Sequence, residues 1–139
     1  VAHIYISFRE PFVKVLKNDR IYYYDYDGVL LPTLLEFQDL LIISGDLHGN
    51  EFQDLIKIVE KIYNHNMLNN LIGGIHYDAN AGLTLSSKLC DLGIKIGEHD
   101  IRNKLNIIKL FSAFLYEELG CDYCKTINLK YNNQIICVK

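Results

Sequence analysis

The sequence lacks a long apolar run and a surplus of basic residues. No stretch of about 18 uninterrupted apolar residues occurs, so nothing predicts a membrane-spanning helix. Its 14 Lys and Arg are outnumbered by 17 Asp and Glu, which leaves a net charge of −3 and argues against nucleic acid as the main partner. It also contains no P-loop, no dinucleotide-binding glycine motif and no Ser-His-Asp arrangement. These absences exclude several large classes of enzyme and nucleic-acid-binding protein.

Proline is sparse, with two residues among 139. No repeat, low-complexity tract or linker divides the chain. Half of the residues are apolar and 22% are charged, which is typical of a globular protein. The sequence therefore predicts one domain over residues 1–139. Because a strand-like pattern begins at once, we interpret the sequence as a fragment, and a missing signal peptide says nothing about location.

The first thirty residues read as a β-meander. Three runs have the alternation or the composition of strands: residues 2–9, 12–16 and 21–26. Alternation in the first run places Ile4, Ile6 and Phe8 on one face. Pro11 ends that run, and Asn18-Asp19 and Asp27-Gly28 are turn signals that follow the other two runs.

Two later segments have helical periodicity. The first begins after Asn50, a candidate N-cap with Gln53 in a capping-box position, and its apolar face comprises Phe52, Leu55, Ile56, Val59, Ile62 and Tyr63. The second spans residues 100–119 with Gly120 after its end, and its apolar face comprises Ile101, Leu105, Ile108, Phe111, Leu115 and Leu119. Strand-like runs follow the helices at residues 71–77, 83–90, 92–96, 125–131 and 134–138. This order predicts an α+β fold: a mixed, largely antiparallel β-sheet packs against two amphipathic helices and ends in a C-terminal β-hairpin.

The four cysteines are Cys90, Cys121, Cys124 and Cys137. Cys121 and Cys124 have the C-x-x-C spacing of a redox pair or of half a zinc site. A zinc site needs two more ligands of similar spacing, and His76 and His99 are isolated. We favour buried or incidental thiols over a structural disulfide, and both over metal or redox chemistry. His3 and His65 are likewise interpreted as ordinary residues.

Two segments resemble enzyme motifs. Residues 21–30 are similar to the opening of haloacid-dehalogenase-type phosphatases, with Asp25 as nucleophile and Asp27 as general acid. The remaining parts of that site are not evident, so a hairpin turn is favoured. Residues 40–50 resemble the first block of calcineurin-like metallophosphoesterases, with Asp46 and His48 as metal ligands. Later blocks of that family are incomplete, because Gly73-Gly74 occupies the place of the bridging aspartate and Glu98 that of the asparagine. A Gly-Asp turn before a helix is favoured here.

Five segments, in order and with the right spacing, resemble the periplasmic β domain of the FtsQ/DivIB family of bacterial cell-division proteins. They are residues 4–13, 22–29, 41–45, 92–105 and 127–136. The third closes on Gly45 but lacks the proline that precedes the glycine in the family, and the fourth ends on Lys104-Leu105. In the terminal hairpin, Asn128 replaces an aspartate, which is similar to the Bacteroidetes branch.

The resemblance implies a non-enzymatic scaffold without cofactor or metal. It implies the periplasmic domain of a single-pass inner-membrane protein, whose transmembrane helix lies outside this fragment. The implied partners are FtsB/FtsL-like coiled-coil division proteins, not nucleic acid. A POTRA domain is expected upstream, and residues 1–16 are assigned either to the present domain or to the last strand of that POTRA domain.

The resemblance places partner contact at the C-terminal hairpin, in Tyr131, Asn133, Gln134, Ile135, Ile136 and Val138. A strand at a sheet edge offers unpaired backbone groups to which a partner segment adds as a further strand. Ile135 or Ile136, whichever faces outward, is the expected apolar anchor. An interior or covered strand remains the alternative at this point. Two other functions also stay open: a degenerate or truncated metallophosphoesterase that uses Asp46 and His48, and a fragment of a secretion-type POTRA protein.

Overall fold

A computed structural model gives the fold and describes residues 2–3, 9–32, 39–114, 123–131 and 134–139. In chain order the elements are β1 (Val13–Lys17), β2 (Arg20–Tyr24), β3 (Leu30–Leu31), β4 (Ile42–Gly45), α1 (Glu51–Tyr63), α2 (Asn66–Leu71), β5 (Ile72–Asp78), β6 (Gly82–Ser87), β7 (Gly93–Gly97), α3 (Ile101–Phe114), β8 (Thr126–Asn128) and β9 (Ile136–Val138). Within these ranges, every helix is too short or too polar to cross a membrane.

The nine strands of the described residues belong to one sheet with the order β3-β2-β1-β4-β5-β6-β7-β8-β9. Five neighbouring pairs are antiparallel: β1–β2, β2–β3, β5–β6, β6–β7 and β8–β9. Three are parallel: β1–β4, β4–β5 and β7–β8. In the last two of these pairs, helices connect the paired strands along the chain: α1 and α2 lie between β4 and β5, and α3 lies between β7 and β8. Two parallel strands need such a crossover connection, because the chain must return before it runs in the same direction again. The predicted α+β fold with a mixed, largely antiparallel sheet is confirmed.

The β1–β2 hairpin has the turn that the sequence predicts. Asn18 and Asp19 have φ angles of 52° and 61°. Positive φ at both central residues matches the twist of the two strands, and Asn and Asp are among the few residues that tolerate it. The strand predicted over residues 2–9 falls largely outside the described residues, and the assignment of residues 1–16 to a POTRA domain stays a prediction.

The helices pack against one face of the sheet. A buried row crosses six strands in register and comprises Val15, Ile43, Ile75, Leu85, Ile94 and Ile127. The residues that α1 buries are Leu55, Ile56, Ile58, Val59 and Ile62, and the apolar residues that α3 buries are Leu105 and Ile108. All of these side chains except Ile56 join the row in one hydrophobic core. The prediction of two amphipathic helices is confirmed.

The other face of the sheet carries a polar row. Its members, in register, are Ser44, His76, Thr84, Lys95 and Asn128. All five are exposed or partly exposed, and Ser44 Oγ lies 2.9 Å from His76 Nδ1. One solvated face is common in sheets rich in antiparallel pairs. The row ends at the edge strand, where Ile136 pairs with Asn128.

One local prediction is wrong, and one short helix was not predicted. Asn50 precedes α1, but its side chain makes no capping hydrogen bond, and the amide Nε2 of Gln53 instead donates to Asp27 O at 3.2 Å. The sequence predicts that the first helix ends near residues 64–66, and α1 does end at Tyr63, but no pattern predicts the short α2, which begins at Asn66 and buries Leu68 and Leu71. Such a short helix depends on packing and has little periodicity of its own. The part of α3 predicted up to residue 119, and Gly120 after it, lie outside the described residues.

Candidate functional site

The C-terminal strand β9 lies at one end of the sheet. It pairs antiparallel with β8 over three positions, with Ile127 opposite Cys137. Among the described residues, no strand pairs with its other side. All three of its residues are exposed. An edge of this kind leaves backbone donors and acceptors available to another segment.

The predicted site residues surround this edge. Tyr131 follows β8 and is 60% exposed, Ile135 precedes β9 and is 47% exposed, and Ile136 and Val138 lie within β9 at 38% and 49%. Gln134 is also exposed, and its backbone N–H donates to Tyr131 O at 3.3 Å. Asn133 lies outside the described residues. Both candidate anchors, Ile135 and Ile136, therefore face solvent, and the regular strand is shorter than the predicted 134–138.

One flank of α3 adjoins the same region. A cavity of about 520 Å³ is lined there by Asp100, Asn103, Lys104, Ile107, Leu129, Tyr131, Gln134 and Ile135. Leu110 and Phe114 continue the flank of Ile107 at helical spacing and are 81% and 47% exposed. The sequence prediction missed this flank because it followed the buried stripe alone. The signal in the sequence was a second set of three apolar residues, spaced i, i+3 and i+7, that lies outside the buried stripe. A helix face that is exposed to solvent rarely carries such a set.

Lys104 fixes the segment that leads into the site. It is 4% exposed, and its Nζ donates to Ile96 O at 2.8 Å and to Lys130 O at 3.5 Å. Lys130 N–H in turn donates to Asn128 Oδ1 at 2.9 Å. A buried ammonium needs such acceptors, so Lys104 ties the end of β7 to the segment between β8 and Tyr131.

A disulfide joins Cys124 to Cys137, with a Cα–Cα distance of 5.5 Å. Cys90 is disulfide-bonded as well, and no described cysteine is free. The expectation of buried or incidental thiols is therefore wrong for these residues. Because Cys124 bonds to Cys137, it does not form a C-x-x-C pair with Cys121, which lies outside the described residues. Local spacing could not reveal this pairing, since the two cysteines meet only through the β8–β9 register.

The metallophosphoesterase-like segment is a turn between β4 and α1. Asp46 Oδ2 accepts a hydrogen bond from Ala79 N–H at 3.0 Å, and His48 is exposed. Gly45 has a φ of 108°, and a Cβ there would lie 1.9 Å from Tyr77 O. In the described part of the chain, no three His, Cys, Asp or Glu residues are placed to hold a metal ion. Asp46 and Gly45 thus fasten the end of β4 to β5.

The phosphatase-like segment is a turn between β2 and β3. Asp25 is buried and accepts hydrogen bonds from Arg9 Nη1 at 2.5 Å and from Val29 N–H at 2.8 Å. Burial raises the pKa of Asp25, but these hydrogen bonds and the charge of Arg9 outweigh it, so its pKa lies below the ordinary value. Asp27 is exposed and lies 3.3 Å from Arg9 Nη1. The favoured interpretation of this motif as a turn is confirmed.

Comparison with known proteins gives one family match. A family model described as FtsQ/DivIB, C-terminal related, matches residues 10–138, which is nearly the whole chain. Comparison with curated proteins found no significant match.

Proposed function

The chain belongs to the FtsQ/DivIB C-terminal related family of cell-division proteins, and on this premise we propose that it is a non-enzymatic periplasmic scaffold of the divisome. It binds an FtsB/FtsL-like coiled-coil partner by β-strand addition at β9. Backbone hydrogen bonds to the edge supply affinity, and alternate side chains supply selectivity.

The observation that carries the proposal is the exposed apolar edge. Ile136 and Val138 are on the polar face of the sheet, at 38% and 49% exposure, and Ile136 ends a row whose other members are all polar. Natural sheets protect such edges with charge, proline or a covering element. β9 has apolar residues and a disulfide-bonded cysteine in these places. A partner strand beside β9 covers this edge.

The α3 flank extends the surface to the helix-bearing side of the sheet. A strand added beside β9 projects alternate side chains to both faces. Those on the polar side meet Ile136 and Val138. Those on the helix side approach Tyr131, Ile135 and the α3 flank of Ile107, Leu110 and Phe114. Aromatic and aliphatic residues that are exposed together are typical anchors of an interface.

The disulfides support the periplasmic location. Cys90, Cys124 and Cys137 are all disulfide-bonded. Structural disulfides persist in oxidising compartments such as the bacterial periplasm and are rare in the cytosol. The proposed location and the observed chemistry of the cysteines therefore agree.

The proposal is tested by titrating the chain with the membrane-proximal region of the FtsB-like partner and measuring Kd by calorimetry. We expect Tyr131→Ala and Ile136→Glu each to weaken binding at least ~10-fold, which is about 1.4 kcal/mol, since the central anchors of an interface cost about 2 kcal/mol or more when they are changed. The matched control is Ile21→Glu, which places the same charge on a strand isoleucine of nearly equal exposure, 37% against 38%.

The control variant should bind like the wild type. Unchanged affinity in both test variants, with the wild type binding, would show that the partner docks elsewhere. Equal loss in all three would indicate a general effect of the added charge or of misfolding.

A further inference from the structure

We propose that the Cys124–Cys137 disulfide controls the partner-binding edge. In the oxidised chain the bond holds β9 on the sheet, and its reduction releases β9 and abolishes docking. The identity of what docks rests on the proposed function above. The release of β9 on reduction does not, because it follows from the packing of this chain alone.

The non-covalent hold on β9 is weak. The strand has three residues, none of them buried, so it contributes no fully buried side chain to the core. It pairs with β8 over three positions, and Lys125 N–H donates to Val138 O at 2.8 Å beyond them. Backbone hydrogen bonds exposed to water contribute little net stability, and short, solvated edges open readily. Pairing with β8 alone therefore gives β9 only marginal stability at the edge of the sheet.

The covalent hold joins an exposed strand to the core. Cys137 is the middle residue of β9 and is exposed, whereas Cys124 is 2% exposed and packs in the hydrophobic core. The two are 13 residues apart in sequence, so the bond closes a loop that contains Tyr131 and Ile135. It restricts the whole proposed docking segment, not β9 alone.

The exposure of Cys137 makes the bond accessible to a dithiol reductant. One thiolate of the reductant attacks the Cys137 sulfur, the S–S bond breaks, and Cys124 leaves as a thiolate that takes a proton from water. The second thiolate of the reductant then attacks the mixed disulfide and releases the Cys137 thiolate. Two electrons pass from the dithiol to the protein, and the reductant ends as its own disulfide.

The experiment compares the oxidised chain with the double variant Cys124→Ser/Cys137→Ser, which keeps the disulfide of Cys90. Amide hydrogen exchange read by mass spectrometry follows β8 and β9, and calorimetry follows binding of the FtsB-like region. A matched control is Cys90→Ser, in which the thiol of the cysteine that was bonded to Cys90 is blocked by alkylation. This variant loses one disulfide but keeps Cys124–Cys137. Dithiothreitol treatment of the wild type provides the reduced state.

We expect loss of amide protection in β9 but not in β5 or β6, in both the double variant and the reduced wild type. The apparent Kd should rise ~10-fold or more, by the reciprocal of the fraction of chains in which β9 stays paired. Cys90→Ser should retain protection in β9 and the wild-type Kd.

Protection of β9 that persists without the bond overturns the inference, whatever the partner does. Release of β9 with unchanged affinity also overturns it, because docking then does not follow the bond. If the oxidised wild type does not bind the partner but reduction still releases β9, the result contradicts the proposed function and not the release of β9.

Discussion

At the scale of single residues, Gly45 is a position that only glycine can fill. Its φ is 108°, and a Cβ would lie 1.9 Å from Tyr77 O, a backbone atom of the paired strand. We expect Gly45→Ala to lower the free energy of unfolding by more than about 1 kcal/mol, since alanine at an incompatible φ is destabilising beyond the usual gain from reduced chain entropy. Urea denaturation measures the change.

Gly93→Ala is the matched control for Gly45. Gly93 lies in β7, where an added Cβ meets only Thr84 Cγ2 at 4.0 Å and φ is not positive. This variant should be neutral or slightly more stable, because β-strand propensity rises from glycine. Equal loss in both variants would mean that β4 and β5 do not approach as closely as the structure shows.

Asp25 makes stability depend on pH in the acid range. Its pKa lies below the ordinary value, and in the unfolded chain it returns to about 3.9. The carboxylate therefore stabilises the fold above the unfolded pKa, and this stability is lost as the pH falls through the lower folded pKa. We expect Asp25→Asn to reduce stability at pH 7 and to shrink the difference between pH 7 and pH 3, measured by urea midpoints.

Asp27→Asn is the comparison for that experiment. Asp27 also meets Arg9, but its side chain is 72% exposed, and exposed ion pairs contribute little. Its pH dependence should match that of the wild type. If the two variants lose the same acid dependence, the buried position of Asp25 has no special role.

At the scale of elements, the α3 flank makes a prediction that is separate from β9. Leu110 is 81% exposed, so Leu110→Glu should change stability by less than about 0.5 kcal/mol. If the partner reaches this flank, the variant should weaken binding of the FtsB-like region by ~10-fold, as expected for a buried apolar anchor. Thermal denaturation and calorimetry on the same samples separate the two effects.

Leu89→Glu controls for the charge in the Leu110 experiment. Leu89 is an exposed leucine, at 66%, in the connection between β6 and β7. Its substitution should leave the Kd unchanged. Normal binding by Leu110→Glu would confine the docking surface to β9 and the segment before it.

The elements that sequence predicted well are those whose signal is local. The apolar stripe of Leu55, Ile56, Val59 and Ile62 predicts the helix α1. The pair Asn18-Asp19 predicts the β1–β2 turn. The failures involve distant partners. Gln53 bonds to Asp27 across 26 residues and not to the helix start, and α2 exists because Leu68 and Leu71 meet the core. Tertiary contacts decided both.

At the scale of the whole molecule, strand order was beyond the reach of the sequence. The edge position of β9 follows from parallel pairing of β7 with β8, which joins segments more than 30 residues apart. Periodicity identifies strands but carries no information on which strands pair. The site residues were therefore identified through a family resemblance. The α3 flank lies outside the five segments that carry the resemblance, and its place beside the edge depends on how the helix packs on the sheet.

The compartment in which this domain folds can be tested through its cysteines. A disulfide between the core residue Cys124 and the edge residue Cys137 forms only under oxidising conditions. If cells that make the protein are precipitated in acid, and thiols are then labelled with a bulky maleimide, Cys124 and Cys137 should be unlabelled before reduction and labelled after it. Before reduction, the double variant Cys124→Ser/Cys137→Ser should migrate on the gel at the same position as the wild type. After reduction, it should carry two fewer labels than the wild type. Labelling of both residues in untreated cells would place the domain in a reducing compartment, and the periplasmic scaffold would have to be abandoned.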